Sequence, residues 1–333
     1  MKAIVFENFG EPTDVLTVRD VPGPQPGRGE VLVRMIASPI NPSDLMTIRG
    51  TYGRQATLPA TPGFEGVGTV EKSGGGLLGK SLVGKRVVVL NRERGNWSEK
   101  TVVVAKQAIP VSRNLSDDQA ATFFVNPTSA WVMTREVLRV PVNEWLLQTA
   151  AGSSLGKMVT SIGRQYGFRT INVVRRAEQA AEIDSPDSRA IAFDATKDDE
   201  SVLHDQIEKI VGPNGLRYVI DPVGGPTGSA LVRSLGKDAR MLVYGTLEND
   251  PTLQFSPRTL MTVGASIEGF WLSNHMARLN LIQKLRLIRR VSKHIQNGTL
   301  ASTIGSTYPF EDIQTAITEA ERPGRTGKVL LKM

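Results

Sequence analysis

The chain has 333 residues, 40% apolar and 22% charged, the proportions of an ordinary globular protein with room for roughly two domains. It contains no cysteine, which excludes disulfides, Cys-ligated zinc, iron–sulfur clusters and a thiolate nucleophile. The net charge of +7 suits nucleic acid, an anionic membrane or small anionic ligands such as phosphates. The densest basic cluster, Lys284, Arg286, Arg289, Arg290 and Lys293, shares a helical stretch with Leu281, Ile282, Leu285, Ile288, Val291 and Ile295, and reads as the solvated side of an amphipathic helix. No recognisable nucleic-acid module accompanies it. No apolar run approaches the roughly 18 residues of a membrane span, so neither nucleic acid nor a membrane is expected as a partner. His204, His275 and His294 are too scattered for a metal cluster. The start, Met1 to Glu7, has neither a signal-peptide core nor a transit segment, and the expected location is cytoplasmic.

In chain order, residues 1–110 read as β-rich. Glu30–Ile36 alternates, and Gly66–Val70 and Lys85–Leu90 are short β-branched runs between Gly and Pro punctuation. Ser116-Asp117-Asp118-Gln119 predicts a helix start with Ser116 as N-cap. From about 145 the chain alternates. Strands are predicted at 145–149, 170–174, 190–193, 217–221 and 240–245. Helices are predicted at 155–166, near 177–183, at about 199–211 and near 227–235. Units of this kind argue an α/β fold with a doubly wound parallel sheet. After Gly264 come a short strand, one long helix over about 276–296, and a last strand, Lys328–Leu331. The expected architecture is a β-rich domain interrupted by a nucleotide-binding domain.

Two familiar patterns are read as accidents. Gly74 to Ser81 fits the phosphate-loop spacing, but a true phosphate loop must run into a helix. Leu82-Val83-Gly84 leads straight to a strand with no room for one, so a glycine-rich hairpin turn is expected. Gly152-Ser153-Ser154-Leu155-Gly156 fits the nucleophile elbow, with Ser154, Asp221 and His275 or His294 as a triad. Nothing upstream resembles an oxyanion-hole loop, and this turn follows the first strand of the α/β region.

The same turn reads better as a dinucleotide-binding one. Ala151-x-Ser153-x-x-Gly156, with Ser154 and Leu155 between, has the spacing of G-x-G-x-x-G. Small residues let the backbone approach a pyrophosphate, and Gly156 permits close helix–strand packing. About twenty residues on, where an acid would take the ribose 2′-hydroxyl, stand Arg175 and Arg176. Guanidinium groups grip a 2′-phosphate, which argues for NADPH. A solvated arginine pair is the plainer alternative.

Several segments carry a resemblance: Ile40-Asn41-Pro42-Ser43-Asp44, Gly50-Thr51-Tyr52-Gly53, Gly63-Phe64-Glu65-Gly66, Gly95-Asn96-Trp97, Val125 to Trp131, Thr170 to Arg175 and Gly269-Phe270-Trp271-Leu272-Ser273. With them the chain resembles the zinc-free branch of the medium-chain dehydrogenase/reductase superfamily, most closely the mitochondrial-type 2-enoyl-thioester reductases and next the NADPH:quinone oxidoreductases. The resemblance implies a GroES-like catalytic domain over 1–120, with 270–333 returning to it, and a Rossmann NADP-binding domain over 121–269. Phe64 stands where zinc relatives carry a ligand His, so no metal is expected. The chain departs from the family at the turn 150–154, and Ala177 replaces a second family arginine, for which Arg176 can substitute.

The resemblance places Tyr52 as the catalytic tyrosine and Asn126 beside the reacting carbon. A loop tyrosine flanked by Gly50 and Gly53 can point a neutral hydroxyl donor into a cleft, though it can equally anchor its loop. The resemblance implies Asn41, Trp97 and Trp271 as substrate-binding residues. Tyr244, Gly245 and Thr246 at a strand end, Phe270, Trp271 and Leu272 near the nicotinamide, and Lys328 complete the expected cofactor set. It also implies a homodimer, for which the apolar stretch Ala265-Ser266-Ile267 could extend a sheet. The expected activity is zinc-independent, NADPH-dependent hydride transfer to the β-carbon of a 2-enoyl thioester. Reduction of quinones or other activated alkenes is the alternative, and a non-catalytic or hydrolytic protein the third.

Overall fold

A computed structural model describes residues 1–91 and 93–333. The chain forms two compact units, one of Met1–Val125 with Ala301–Met333, the other of Asn126–Leu300.

The second unit holds a six-stranded sheet of β1 (Trp145–Gln148), β2 (Arg169–Val174), β3 (Ser188–Ala192), β4 (Leu216–Asp221), β5 (Leu235–Val243) and β6 (Ser266–Gly269). The spatial order is β3-β2-β1-β4-β5-β6, and every pairing is parallel. The order reverses between β1 and β4, the switch point where ligands sit in such sheets. Helices α1 (Ser154–Tyr166), α2 (Ala177–Ile183), α3 (Glu200–Val211) and α4 (Gly225–Val232) follow the first four strands. Leu147, Ile171, Val173, Ile191, Val219 and Met241 fill the core between the layers. This is the doubly wound sheet that the strand–helix alternation predicts.

Beyond β5 the details differ from the sequence reading. Helix α5 (Pro257–Val263) precedes β6. The expected single helix over 276–296 is two, α6 (Leu272–Arg278) and α7 (Leu281–Gln296). Asn280 makes a capping box with Gln283 and so starts α7 afresh. Only the later half of α7 packs, through Leu287, Val291, His294 and Ile295. His294 stacks on Trp131, ring centroids 4.9 Å apart, and pairs with Tyr166 at 2.9 Å. Those contacts tie α7 to the second unit, so the return to the first begins at Ala301 and not at 270. Leu281 and Ile282, read as part of the buried stripe, are 71% and 61% exposed.

The first unit is built on an antiparallel sheet centred on Glu30–Pro39, which pairs with Glu65–Ser73, Lys100–Val104 and Lys328–Lys332. Ile304–Pro309 joins the sheet in parallel beside Lys328–Lys332. Ser116 caps the helix Asp117–Ala121, accepting from the Gln119 amide. One expectation fails here. A short helix, Leu77–Leu82, does follow Gly76, because Leu82 turns inward to join Val31, Val33 and Val87 in the core. Gly74, at the start of this turn, is pressed against the Pro26 and Gly27 carbonyls. Among the described residues no helix is long and apolar enough to cross a membrane.

Candidate active site

In the second unit the expected cofactor residues gather at the carboxyl ends of the strands. The turn after β1 enters α1 through Ser153, whose hydroxyl accepts from the Gly156 amide at 3.1 Å. A β-carbon on Gly156 would lie 2.3 Å from the Ala151 carbonyl oxygen, so strand and helix can meet this closely only over glycine. Ala151 is buried with Val174 and Ala180, Ser153 is exposed, and Ser154 opens α1 ahead of buried Leu155. Ala150 takes a left-handed φ of 48° to make the bend.

Sequence reasoning missed Gln179, in the first turn of α2. A β-carbon on Gly152 would fall 1.8 Å from the Gln179 Nε2 atom, so this carboxamide lies directly over the turn. No spacing rule points to it; it arrives through the packing of α2. Arg175 and Arg176 leave the end of β2 exposed, with Arg176 at the N-cap of α2.

At the switch point Asp221, fully buried, accepts from the Thr149 hydroxyl and from the amides of Val223 at 2.9 Å and Gly224 at 3.0 Å. Burial pushes its carboxyl up. Asp221 thus ties the end of β1 to the loop after β4. His275 pairs with Glu136, His294 with Tyr166 and His204 with Ser234, so no histidine joins Ser154 to Asp221 and the triad reading ends there. Tyr244 bonds through its amide to the Asp221 carbonyl at 2.9 Å. Burial and the Asp221 carboxylate hold its phenol well above the ordinary range. Gly245 sits against Pro222, and Thr246 is exposed. Phe270 bonds the Val243 carbonyl at 2.8 Å, Trp271 is 39% exposed at the N-cap of α6, and Leu272 begins that helix half-buried. Asn172, from the Thr170–Arg175 motif, is buried and structural: it accepts from Gln148 at 2.7 Å and donates to Ser188 at 2.8 Å.

In the first unit the helix Pro42–Arg49 ends at Gly50, φ 74°. The amides of Thr51 and Tyr52 both bond back to the Met46 carbonyl. The Tyr52 ring, half-buried, lies on the ring of Phe64, centroids 5.2 Å apart. Beneath it is a buried polar cluster. Asp44 accepts from the Asn41 amide at 2.8 Å and the Phe64 amide at 2.9 Å. Asn41 donates to Glu65 at 3.1 Å, and Lys328 donates to Asn41. The other Glu65 oxygen takes the amides of Phe124 and Val125. Burial pushes Asp44 up to about 7, raises Glu65 and lowers Lys328 to about 8.

The sequence reading set Asn41, Trp97 and Lys328 against ligands. Asn41 and Lys328 instead spend their polar groups on this cluster, and Trp97, 0% exposed, packs in the core with Phe6, Ile40 and Leu45. Asn126 is half-buried on the helix Val125–Trp131. Among the described residues no three His, Asp or Glu side chains gather as a metal ion needs.

The alcohol dehydrogenase GroES-like domain family matches residues 27–113, and the zinc-binding dehydrogenase family matches residues 190–331. The bovine mitochondrial enoyl-[acyl-carrier-protein] reductase is 30% identical over 342 aligned positions, covering 100% of this chain and 89% of its own. A Bacillus thuringiensis crystal structure, provisionally named an NADPH:quinone reductase, superposes with a TM-score of 0.88 at 30% identity, covering 100% and 98%. Mycobacterial Rv1454c, solved with NADPH, superposes with a TM-score of 0.88 at 25% identity over the whole of both chains. The chain belongs to the medium-chain dehydrogenase/reductase superfamily of oxidoreductases.

Proposed function

We propose that the protein is an NADPH-dependent reductase that transfers hydride to the β-carbon of a 2-enoyl thioester on CoA or acyl carrier protein. The observation that carries this reading is similarity along the whole chain to enoyl-[acyl-carrier-protein] reductases, joined to a loop tyrosine packed on Phe64.

The carboxyl edge of the sheet suits NADPH. Gly156 admits no side chain, the start of α1 offers amides to a pyrophosphate, and two exposed arginines replace the acid that favours NADH. Tyr244, Gly245, Thr246, Phe270, Trp271 and Leu272 follow the ends of β5 and β6 on that edge. When bound, NADPH supplies the hydride. As the β-carbon accepts it, negative charge gathers on the thioester oxygen, and a proton drawn from solvent then goes to the α-carbon. The Tyr52 hydroxyl is assigned to that oxygen as donor, where a fixed dipole counts most. Asn126 is assigned to orient the reacting groups. No step calls for a metal. Trp271, exposed, remains a substrate contact; Asn41 and Lys328 serve through the buried cluster.

Quinone reduction is the second reading, supported by the Bacillus thuringiensis neighbour's name. A homodimer is also part of the proposal. Among the described residues strand β6 pairs with β5 alone and ends the sheet, and an unpaired strand edge invites a second copy. The reaction itself is tested by incubating the protein with NADPH and crotonyl-CoA and looking for butyryl-CoA by mass spectrometry. Its absence, with a quinone consumed under the same conditions, would put the second reading first.

A further inference from the structure

Nothing in hydride transfer accounts for a carboxylate buried at Asp44, yet its bonds close a circuit around Tyr52. One Asp44 oxygen holds the Asn41 amide at the start of the helix Pro42–Arg49. The other oxygen holds the Phe64 amide. The Phe64 ring supports the Tyr52 ring. The Tyr52 amide, at 3.2 Å, and the Thr51 amide, at 2.9 Å, return to the Met46 carbonyl at the start of the last turn of the same helix. Asp44 is therefore the clasp that sets how far Phe64 stands from that helix, and so where the tyrosine ring comes to rest.

We propose that Asp44 is a positioning residue for the reaction, acting on Tyr52 through Phe64; this rests on the assignment of Tyr52 as the hydroxyl donor. A bare apolar residue in its place would leave two buried amides without acceptors. A neutral amide could take one of them only, and would turn its own N–H groups toward the other. The ring would then settle against a displaced Phe64. Catalysis is sensitive to such shifts, because a donor must meet the charge where it develops.

A purely structural Asp44 would cost stability and act on every step alike. A positioning Asp44 acts only while Tyr52 has a hydroxyl to aim. The test is a double-mutant cycle in the full-length protein: Asp44→Asn, Tyr52→Phe and the pair, with kcat, KM and NADPH affinity by cofactor fluorescence for each. Phe64→Leu, which keeps the amide and removes the ring, runs in parallel should Asp44→Asn fail to fold. We expect Asp44→Asn and Phe64→Leu each to lower kcat for crotonyl-CoA by about tenfold, a part of what the aimed donor itself supplies, with NADPH affinity unmoved. Neither should lower it further once Tyr52 is Phe. Equal losses with and without the tyrosine hydroxyl overturn the proposal. So does a costly Asp44→Asn beside a harmless Tyr52→Phe, which also removes the assignment of Tyr52. Harmless Asp44→Asn and Phe64→Leu beside a costly Tyr52→Phe overturn it and leave that assignment standing.

Discussion

Tyr52 rests its ring on Phe64 with the ring planes 39° apart. Phe64 thus supports the one hydroxyl assigned to the substrate oxygen. Tyr52→Phe keeps the ring contact and deletes the donor. It should lower kcat for an enoyl thioester by roughly 10²–10³, about 2.7–4 kcal/mol, the range for one oxyanion-type donor. The affinity for NADPH, read by fluorescence titration, should stay the same. Turnover within about twofold of the parent would make Tyr52 a loop anchor.

Arg175 and Arg176 stand exposed where β2 ends, with Arg176 at the N-cap position of α2. One charge-assisted contact with a 2′-phosphate contributes about 1.5–3 kcal/mol. Arg175→Ala should therefore weaken NADPH by about tenfold or more and leave NADH nearly unchanged. Titration of both cofactors against both proteins checks this. Parallel losses for NADH and NADPH would show that the arginine serves the fold or the pyrophosphate.

How much of this was legible in the sequence follows from range. The sheet of the second unit announces itself through local alternation, and Arg175 and Arg176 are visible because a strand end is a local feature. The capping box of Asn280 and Gln283 is hidden inside an amphipathic run that continues on both sides, so α6 and α7 read as one helix. The strand Ile304–Pro309 has no fully buried residue to mark it. Asn41 and Lys328 meet across 287 residues of sequence; nothing local says that their polar groups are consumed by each other and by Glu65. Gln179 reaches Gly152 only once α2 has docked.

The buried cluster also sets a pH dependence. In an unfolded chain Asp44 titrates near 3.9, and burial lifts it to about 7 in the fold. Between those values the folded chain keeps a proton that the unfolded chain has lost, so stability falls as pH rises. The contribution is complete below about pH 4 and gone above about pH 7. Asp44→Asn cannot titrate there. Urea midpoints should show the parent losing stability relative to this variant from about pH 4.5 to 7.5. A difference independent of pH would mean that Asp44 is ionised throughout.

The half-buried Ile267 lies on the edge strand β6, which partners only β5. Light scattering at micromolar concentration should give a dimer, since an unpaired strand edge is a ready template for a second copy. A monomeric parent would remove the dimer from the account.

Steady-state NADPH oxidation with crotonyl-CoA, longer 2-enoyl-CoAs and 1,4-naphthoquinone, compared as kcat/KM on one preparation, separates an enoyl-thioester reductase from a quinone reductase. The account predicts that the best enoyl thioester exceeds the quinone by at least about tenfold, or 1.4 kcal/mol of transition-state preference. Tyr52→Phe should narrow that ratio, because a quinone ring disperses over more atoms the charge that a thioester enolate gathers mostly on its oxygen. A quinone favoured over every enoyl thioester, with the ratio unmoved by Tyr52→Phe, would contradict it.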